Sequence, residues 1–144
     1  MIFRKIEEKD RKEIFDMMSV FYRSDAVCTS GSPEIFNNNI SACLDDNINL
    51  YGYVFSEDGK IAGYGMVAKS FSTEAGKECF WMEDLYIKPE HRGKGTGGQF
   101  LDFLRDKYKG CALKLEVETE NERAIAVYKK HGFSELPYFV MATF

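Results

Sequence analysis

The sequence has 144 residues, of which 44% are hydrophobic and 15% aromatic, and its formal net charge is −4. This composition is typical of one folded domain spanning residues 1–144 and excludes a disordered chain. The negative charge argues against nucleic acid as a partner, because phosphate backbones require a basic face. No apolar run reaches the ~20 residues of a membrane-spanning helix, and the N-terminus lacks the apolar core of a signal peptide. We therefore expect a cytoplasmic, soluble protein without membrane or nucleic-acid partners.

The four cysteines are Cys28, Cys43, Cys79 and Cys111, and they are widely scattered. Their spacing fits neither a zinc knuckle nor a disulfide framework. We expect free thiols and no metal site.

The first half of the chain predicts a strand, two helices and a hairpin. A short strand covers residues 3–6, and apolar residues then recur at helical spacing to about residue 23. Ser32 and Pro33 are typical of the cap and first turn of a second helix. Strands at residues 50–55 and 61–69 flank Asp58-Gly59, a pair that favours a tight hairpin turn.

The second half predicts a strand at residues 79–87, a helix after a glycine-rich loop, and a strand at 113–117. A last helix covers residues 121–130, and terminal strands occupy residues 133–144, broken at Pro137. The predicted order is β-α-α-β-β-β-α-β-α-β-β. This order indicates an α/β fold with a mixed sheet rather than a doubly wound one.

The glycine-rich loop joins the end of a predicted strand to the start of a helix. Its sequence is Lys88-Pro89-Glu90-His91-Arg92-Gly93-Lys94-Gly95-Thr96-Gly97-Gly98-Gln99. Glycines let the backbone approach an anion, and the first N–H groups of a helix point towards it with the positive end of the helix dipole. The loop therefore predicts a pyrophosphate site.

A nucleotide P-loop is excluded, because Gly95 stands where that motif requires Ser or Thr after Gly93-Lys94. A plain surface turn is disfavoured, because it would not use the conformational freedom of these glycines. Glycine costs chain entropy wherever that freedom is unused.

A dinucleotide fingerprint remains open as an alternative. Gly93, Gly95 and Gly98 fit G-x-G-x-x-G, and Glu116 or Glu118 lies near the distance of a ribose-binding acid. However, that fingerprint follows directly on a hydrophobic strand, whereas here five residues intervene.

The pattern R-x-x-G-x-G/A fits the stretch from Arg92 to Gly97 in full. Residues 81–95 resemble the central strand and coenzyme loop of the GNAT superfamily of N-acetyltransferases, and residues 121–133 resemble its second signature. The resemblance is close from about residue 50 to the end and rests only on the β-α-α order before that. The Met-Glu-Asp-Leu-Tyr-Ile strand is most similar to the diamine and polyamine acetyltransferase branch. The resemblance implies one GNAT-type domain with acetyl-CoA as co-substrate.

The same resemblance implies a set of coenzyme contacts. They comprise backbone groups of the central strand, the loop, and the first residue of the last helix: Leu85, Tyr86, Ile87, Arg92, Gly93, Lys94, Gly95, Thr96, Gly97, Gly98 and Asn121.

Two residues receive catalytic roles. The resemblance places Tyr128 beside the coenzyme sulfur, where a phenol is a suitable acid for a thiolate leaving group. Glu83 lies among apolar strand residues and therefore needs a partner or a raised pKa, and similar polyamine enzymes use the matching glutamate as base. We expect Asp84 on the opposite side of the pleat, as a fallback base or substrate-binding acid.

The expected acceptor is a small cationic amine. From Ser24 to Gly59 the chain carries six acids, Asp25 among them, and no Lys or Arg; similar enzymes wall the acceptor site with this region, and acids attract cations. The alternatives are a protein or peptide amine as acceptor, a non-catalytic CoA-binding regulator, and a nicotinamide-dependent oxidoreductase. A homodimer is compatible with the resemblance, because many members are dimers.

Overall fold

The computed structural model describes residues 1–46 and 49–144, so residues 47 and 48 of the acidic stretch lie outside it. Five strands form one sheet in the order β1-β2-β3-β4-β5. The strands are β1 (Ile2–Lys5), β2 (Leu50–Glu57), β3 (Lys60–Ser72), β4 (Lys77–Ile87) and β5 (Ala112–Leu115). The helices are α1 (Arg11–Phe21), α2 (Pro33–Leu44), α3 (Thr96–Lys107) and α4 (Glu122–Lys130).

Strands β1 to β4 pair antiparallel, and β5 pairs parallel with β4. One core cluster joins α1 and α2 to one face of the sheet and includes the buried residues Ile14 and Ile40. A second cluster joins α3 to the other face and includes Phe100 and Leu104. The helices therefore cover both faces of the sheet, and the sheet is mixed, as the sequence predicts.

The two local turn signals form as expected. The Ser32 hydroxyl accepts a hydrogen bond from the Ile35 N–H at 3.2 Å and caps α2. Asp58 and Gly59 have φ values of 50° and 75°, so both turn positions are left-handed between β2 and β3. This is the geometry that matches the twist of a two-residue hairpin.

The predicted terminal strands are wrong, because residues 133–144 form no strand. Phe139 is 96% exposed and Met141 91% exposed. Within the described part of the chain, no backbone hydrogen bond ties residues 134–144 to the sheet, and Pro137 has no N–H to offer a neighbouring strand. Apolar residues with high β-propensity form a strand only where a neighbouring strand pairs with them, and this segment has no such neighbour among the described residues.

The four cysteines are free, with Cys79 buried and Cys28 exposed. Over residues 1–46 and 49–144, no helix combines the length and the apolar character needed to cross a membrane.

Candidate active site

Strands β4 and β5 separate in the middle of β4. Their pairing covers Cys79 to Met82 on β4 and ends at the Met82–Leu115 pair, while β4 runs on to Ile87. Just before the separation, Trp81 pairs with Lys114, whose Nζ lies 5.5 Å from the centre of the indole ring. The second half of β4 therefore has an opening along the edge where β5 would continue, while its other edge stays paired with β3.

Backbone groups of β4 point into this opening in alternation. The Lys88 N–H donates to the Ala62 carbonyl at 2.9 Å and so faces β3. Because successive residues of a strand direct their backbone groups to opposite sides, those of Leu85 and Ile87 face the opening and those of Tyr86 face β3. The sequence predicts coenzyme contacts for Leu85, Tyr86 and Ile87 alike, but the backbone groups of Tyr86 face away from the opening.

The glycine-rich loop lies at the end of the opening and leads into α3. Gly93 and Gly95 have φ values of 77° and 79°, a region that other residues rarely adopt. Gly95 caps α3 and its carbonyl accepts the Gln99 N–H at 3.0 Å. The N–H groups of Thr96, Gly97 and Gly98 precede that first helical bond and have no intrahelical acceptor. A twelve-residue helix with such a start is suited to bind an anion.

Two arginines lie at this loop in different ways. Arg92 donates from Nε to the Ile87 carbonyl at 2.7 Å and covers the Tyr86 ring at 5.6 Å, so it braces the loop. Arg123, in the first turn of α4, reaches to within 3.9 Å of the place that a Gly93 Cβ would occupy. Sequence reasoning missed Arg123, since only the docking of α4 brings it to the loop. Lys94 is exposed and unpaired within the described chain.

Helix α4 carries the remaining predicted residues. The Asn121 side chain caps it by accepting the Ala124 N–H at 3.2 Å. Tyr128 packs edge-on against Phe133 with ring centres 6.2 Å apart. Burial raises the pKa of Tyr128 to about 12. Within the described residues its hydroxyl has no hydrogen-bond partner, so it is free to donate to a bound molecule.

A β-bulge brings the two adjacent carboxylates together. Met66 pairs with Asp84 and Val67 with Met82, which leaves Glu83 as an extra residue in β4. Both Glu83 and Asp84 line one pocket. The expectation that they face opposite sides of the pleat is wrong, because a bulge resets the alternation of side chains.

Asp84 is the buried member of the pair, at 4% exposure. Tyr64 donates its hydroxyl to Oδ2 at 2.9 Å, and Tyr22 donates to Oδ1 at 3.0 Å. Burial raises the pKa of Asp84, while the two hydrogen bonds act in the opposite direction by stabilising the carboxylate.

Glu83 lies at the exposed side of the same pocket. Its pKa is raised, first by desolvation and then by the negative charges of Glu116 and Asp84. Glu116 follows directly on β5, across the point where β4 and β5 part. Glu83 is thus a carboxylate biased towards binding a proton, as a base of moderate strength requires.

The pocket has a volume of about 260 Å³. It lies between the end of α1, α2 and strands β2 to β4, and its lining consists of Tyr22, Asn39, Leu50, Met66, Ala68, Glu83 and Asp84. Asp25, which the sequence suggests for substrate binding, lies exposed in the connection between α1 and α2 and is not part of this lining. Tyr22 and Asn39 line it instead, and the sequence pattern assigns neither of them to the site.

The chain matches the family model described as "Acetyltransferase (GNAT) family" over residues 12–133. It therefore belongs to the GNAT family of acetyltransferases. It is 38% identical over 79 residues to thialysine N-epsilon-acetyltransferase of Bos taurus, an alignment covering 53% of this chain and 46% of that protein. The chain spans about half the length of the curated relatives it matches.

Solved structures share the whole fold. A possible acetyltransferase from Clostridium difficile 630 superposes with a TM-score of 0.84 at 18% identity, covering 99% of this chain and 95% of that one. A predicted acetyltransferase from Clostridium acetobutylicum, solved with acetyl-CoA, gives a TM-score of 0.76 at 18% identity with the same coverage. The predicted fold class is confirmed.

Proposed function

We propose that the chain is an acetyl-CoA-dependent N-acetyltransferase that moves the acetyl group to a primary amine of a small cationic molecule. The observation that carries this proposal is the opening between β4 and β5, which begins beside Glu83 of the two-carboxylate pocket and ends at the glycine-rich start of α3. We also take residues 1–144 as one GNAT domain, supported by the single sheet and the family match.

The free N–H groups at the start of α3 suit the pyrophosphate of the coenzyme, and Lys94 and Arg123 add positive charge. Leu85 and Ile87 offer backbone groups along the open edge of β4, the kind of partner that an extended chain of amides requires. The Ile87 carbonyl already accepts from Arg92, so Leu85 is the better candidate for both a donor and an acceptor bond.

The reaction is a direct attack in which both substrates are bound together. The ammonium group of the acceptor first loses a proton to Glu83, and the free nitrogen then forms a bond to the thioester carbon. Collapse of the tetrahedral adduct breaks the carbon–sulfur bond, and Tyr128 donates its proton to the departing thiolate. The nitrogen then gives its second proton to the Tyr128 phenolate as the amide forms, which restores the phenol. Holding amine and thioester side by side accounts for much of the acceleration without a covalent enzyme intermediate.

The pocket supports a small acceptor over a protein or peptide amine. Its volume of about 260 Å³ is below the ~300–1,000 Å³ of pockets for drug-sized ligands. Two neighbouring carboxylates attract an ammonium group. The bovine relative is named for acetylation of thialysine, a small amine.

The proposal is tested by thermal shift with acetyl-CoA, CoA and NAD(H), followed by thiol release from acetyl-CoA with polyamines, diamines, thialysine, aminoglycosides and peptides. Stabilisation by acetyl-CoA is expected, because a ligand that binds only the folded state raises its stability. Turnover is expected with a short aliphatic amine. Stabilisation without any turnover would favour a CoA-binding regulator, and stabilisation by NAD(H) alone would favour an oxidoreductase.

A further inference from the structure

The end of α4 is held against α3 by contacts that the proposed reaction does not use. The His131 Nδ1 lies 3.0 Å from Oδ1 of Asp102 on α3. Arg105, one turn further along α3, donates to the His131 backbone carbonyl. The His131 side chain is 20% exposed, so most of the ring lies within this contact.

The other side of the His131 ring lies against the start of α3. A Cβ added to Gly98 would overlap with His131 Nε2, so the ring occupies the space that a side chain at that position would fill. Gly98 belongs to the anion-binding end of α3. The His131 ring therefore lies between Gly98 at the start of α3 and the Asp102 carboxylate one turn later.

The contacts of His131 hold the end of α4, and this end carries Tyr128. The His131 N–H bonds to the carbonyls of Val127 and Tyr128, each at 3.1 Å, and the Phe133 N–H bonds to the Tyr128 carbonyl at 3.0 Å. Tyr128 and His131 are three residues apart, close to one helical turn. A shift of His131 relative to α3 would therefore move Tyr128 relative to the coenzyme loop.

We propose that His131, held by Asp102 and Gly98, is a positioning residue that sets the place of the Tyr128 hydroxyl relative to the coenzyme. This inference rests on the proposed function, in which Tyr128 protonates the leaving thiolate. The positioning residue acts through Tyr128 and not by contact with either substrate. Gly98 contributes to this positioning because it has no side chain, which leaves room for the His131 ring.

The test compares His131→Ala with His131→Asn in thiol-release kinetics. His131→Ala removes the ring and is expected to lower kcat by up to ~10²-fold, the loss that a displacement of about 1 Å can cause, while KM for acetyl-CoA changes less than about twofold. His131→Asn keeps an N–H near the place of Nδ1 and should restore most of kcat. Asp102→Asn should lower kcat, whereas Asp106→Asn, an exposed carboxylate on the same helix, should not.

Two double variants distinguish positioning from a merely structural role. Gly98→Ala should lower kcat alone but cause no further loss in the His131→Ala background, because the ring it displaces is already gone. His131→Ala should cause no further loss in the Tyr128→Phe background. If the two losses multiply instead, or if His131→Ala lowers only the melting temperature, the inference is overturned while the proposed function stands. Wild-type turnover of Tyr128→Phe would overturn the acid role itself and the inference with it.

Discussion

Tyr64 donates its hydroxyl to Asp84 Oδ2 at 2.9 Å from a site where the tyrosine has no exposed surface and the aspartate is 4% exposed. The acid is therefore placed where burial opposes its charge, and among residues 1–46 and 49–144 the hydroxyls of Tyr64 and Tyr22 support that charge. Its ionisation is coupled to the stability of the fold.

Asp84→Asn is expected to flatten the dependence of stability on pH. The raised pKa means that between the ordinary value of about 3.9 and the folded value, the folded state binds more protons than the unfolded state. The contribution of Asp84 to the free energy of unfolding therefore falls as pH rises through that window. Urea unfolding of wild type and variant at a series of pH values should show this difference. Asp106→Asn, which is exposed, should retain the wild-type slope, and a wild-type slope in Asp84→Asn would contradict the prediction.

Glu116→Gln is expected to move the acidic limb of kcat/KM to lower pH. Glu83 must be deprotonated to act as base, so activity falls as pH drops below its pKa, and the negative charge of Glu116 helps to hold that pKa up. Removing the charge lowers the pKa and extends activity into more acidic solution. Glu83→Gln should lower kcat by ~10²–10⁴-fold and remove the limb. Glu120→Gln is the control, and an unmoved limb in Glu116→Gln would argue against Glu83 as the base.

Gly95→Val is expected to abolish acetyl-CoA binding in calorimetric titration. A β-branched residue cannot adopt the φ of 79° without strain, so the loop must change shape and its N–H groups turn away. Gly76→Val is a matched control, since Gly76 has a φ of 63° in the turn between β3 and β4, and no atom lies within 4 Å of an added Cβ. It should show similar strain and normal binding. Equal binding by both variants would mean that the loop is not the coenzyme site.

Tyr128→Phe is expected to lower kcat by ~10²–10⁴-fold, the usual range for loss of a general acid, with unchanged affinity for acetyl-CoA. With a pKa of about 12, the phenol stays protonated near neutral pH and can donate to the thiolate. Stopped-flow thiol release and equilibrium titration separate the two quantities. Tyr138→Phe, in the exposed C-terminal segment, should leave both unchanged.

The loop and the order of elements as far as α4 follow from local patterns, because each glycine, cap and apolar period acts within a few residues. The bulge at Glu83 does not, since an extra residue in β4 is defined only by its pairing with β3. Arg123 and His131 gain their neighbours only when α4 docks on α3. No periodicity along the chain encodes that contact.

The C-terminal segment shows the opposite error, in which local patterns predict an element that does not form. Residues 133–144 have the composition of strands, yet a strand exists only where another supplies its hydrogen bonds. Asp25 shows a similar limit, because charge composition indicates which region is acidic but not which side chain reaches the pocket.

The chain contains one tryptophan, Trp81, and it lies at the last stretch of paired residues before β4 and β5 part. Its indole contacts the Lys114 ammonium and stands two residues from Glu83. Intrinsic fluorescence excited in the indole band therefore comes from one place in the molecule, beside the opening. A titration with acetyl-CoA, followed by the emission intensity of Trp81, would therefore report occupancy of the opening without a label. The same signal could be recorded in the cuvette in which turnover is measured.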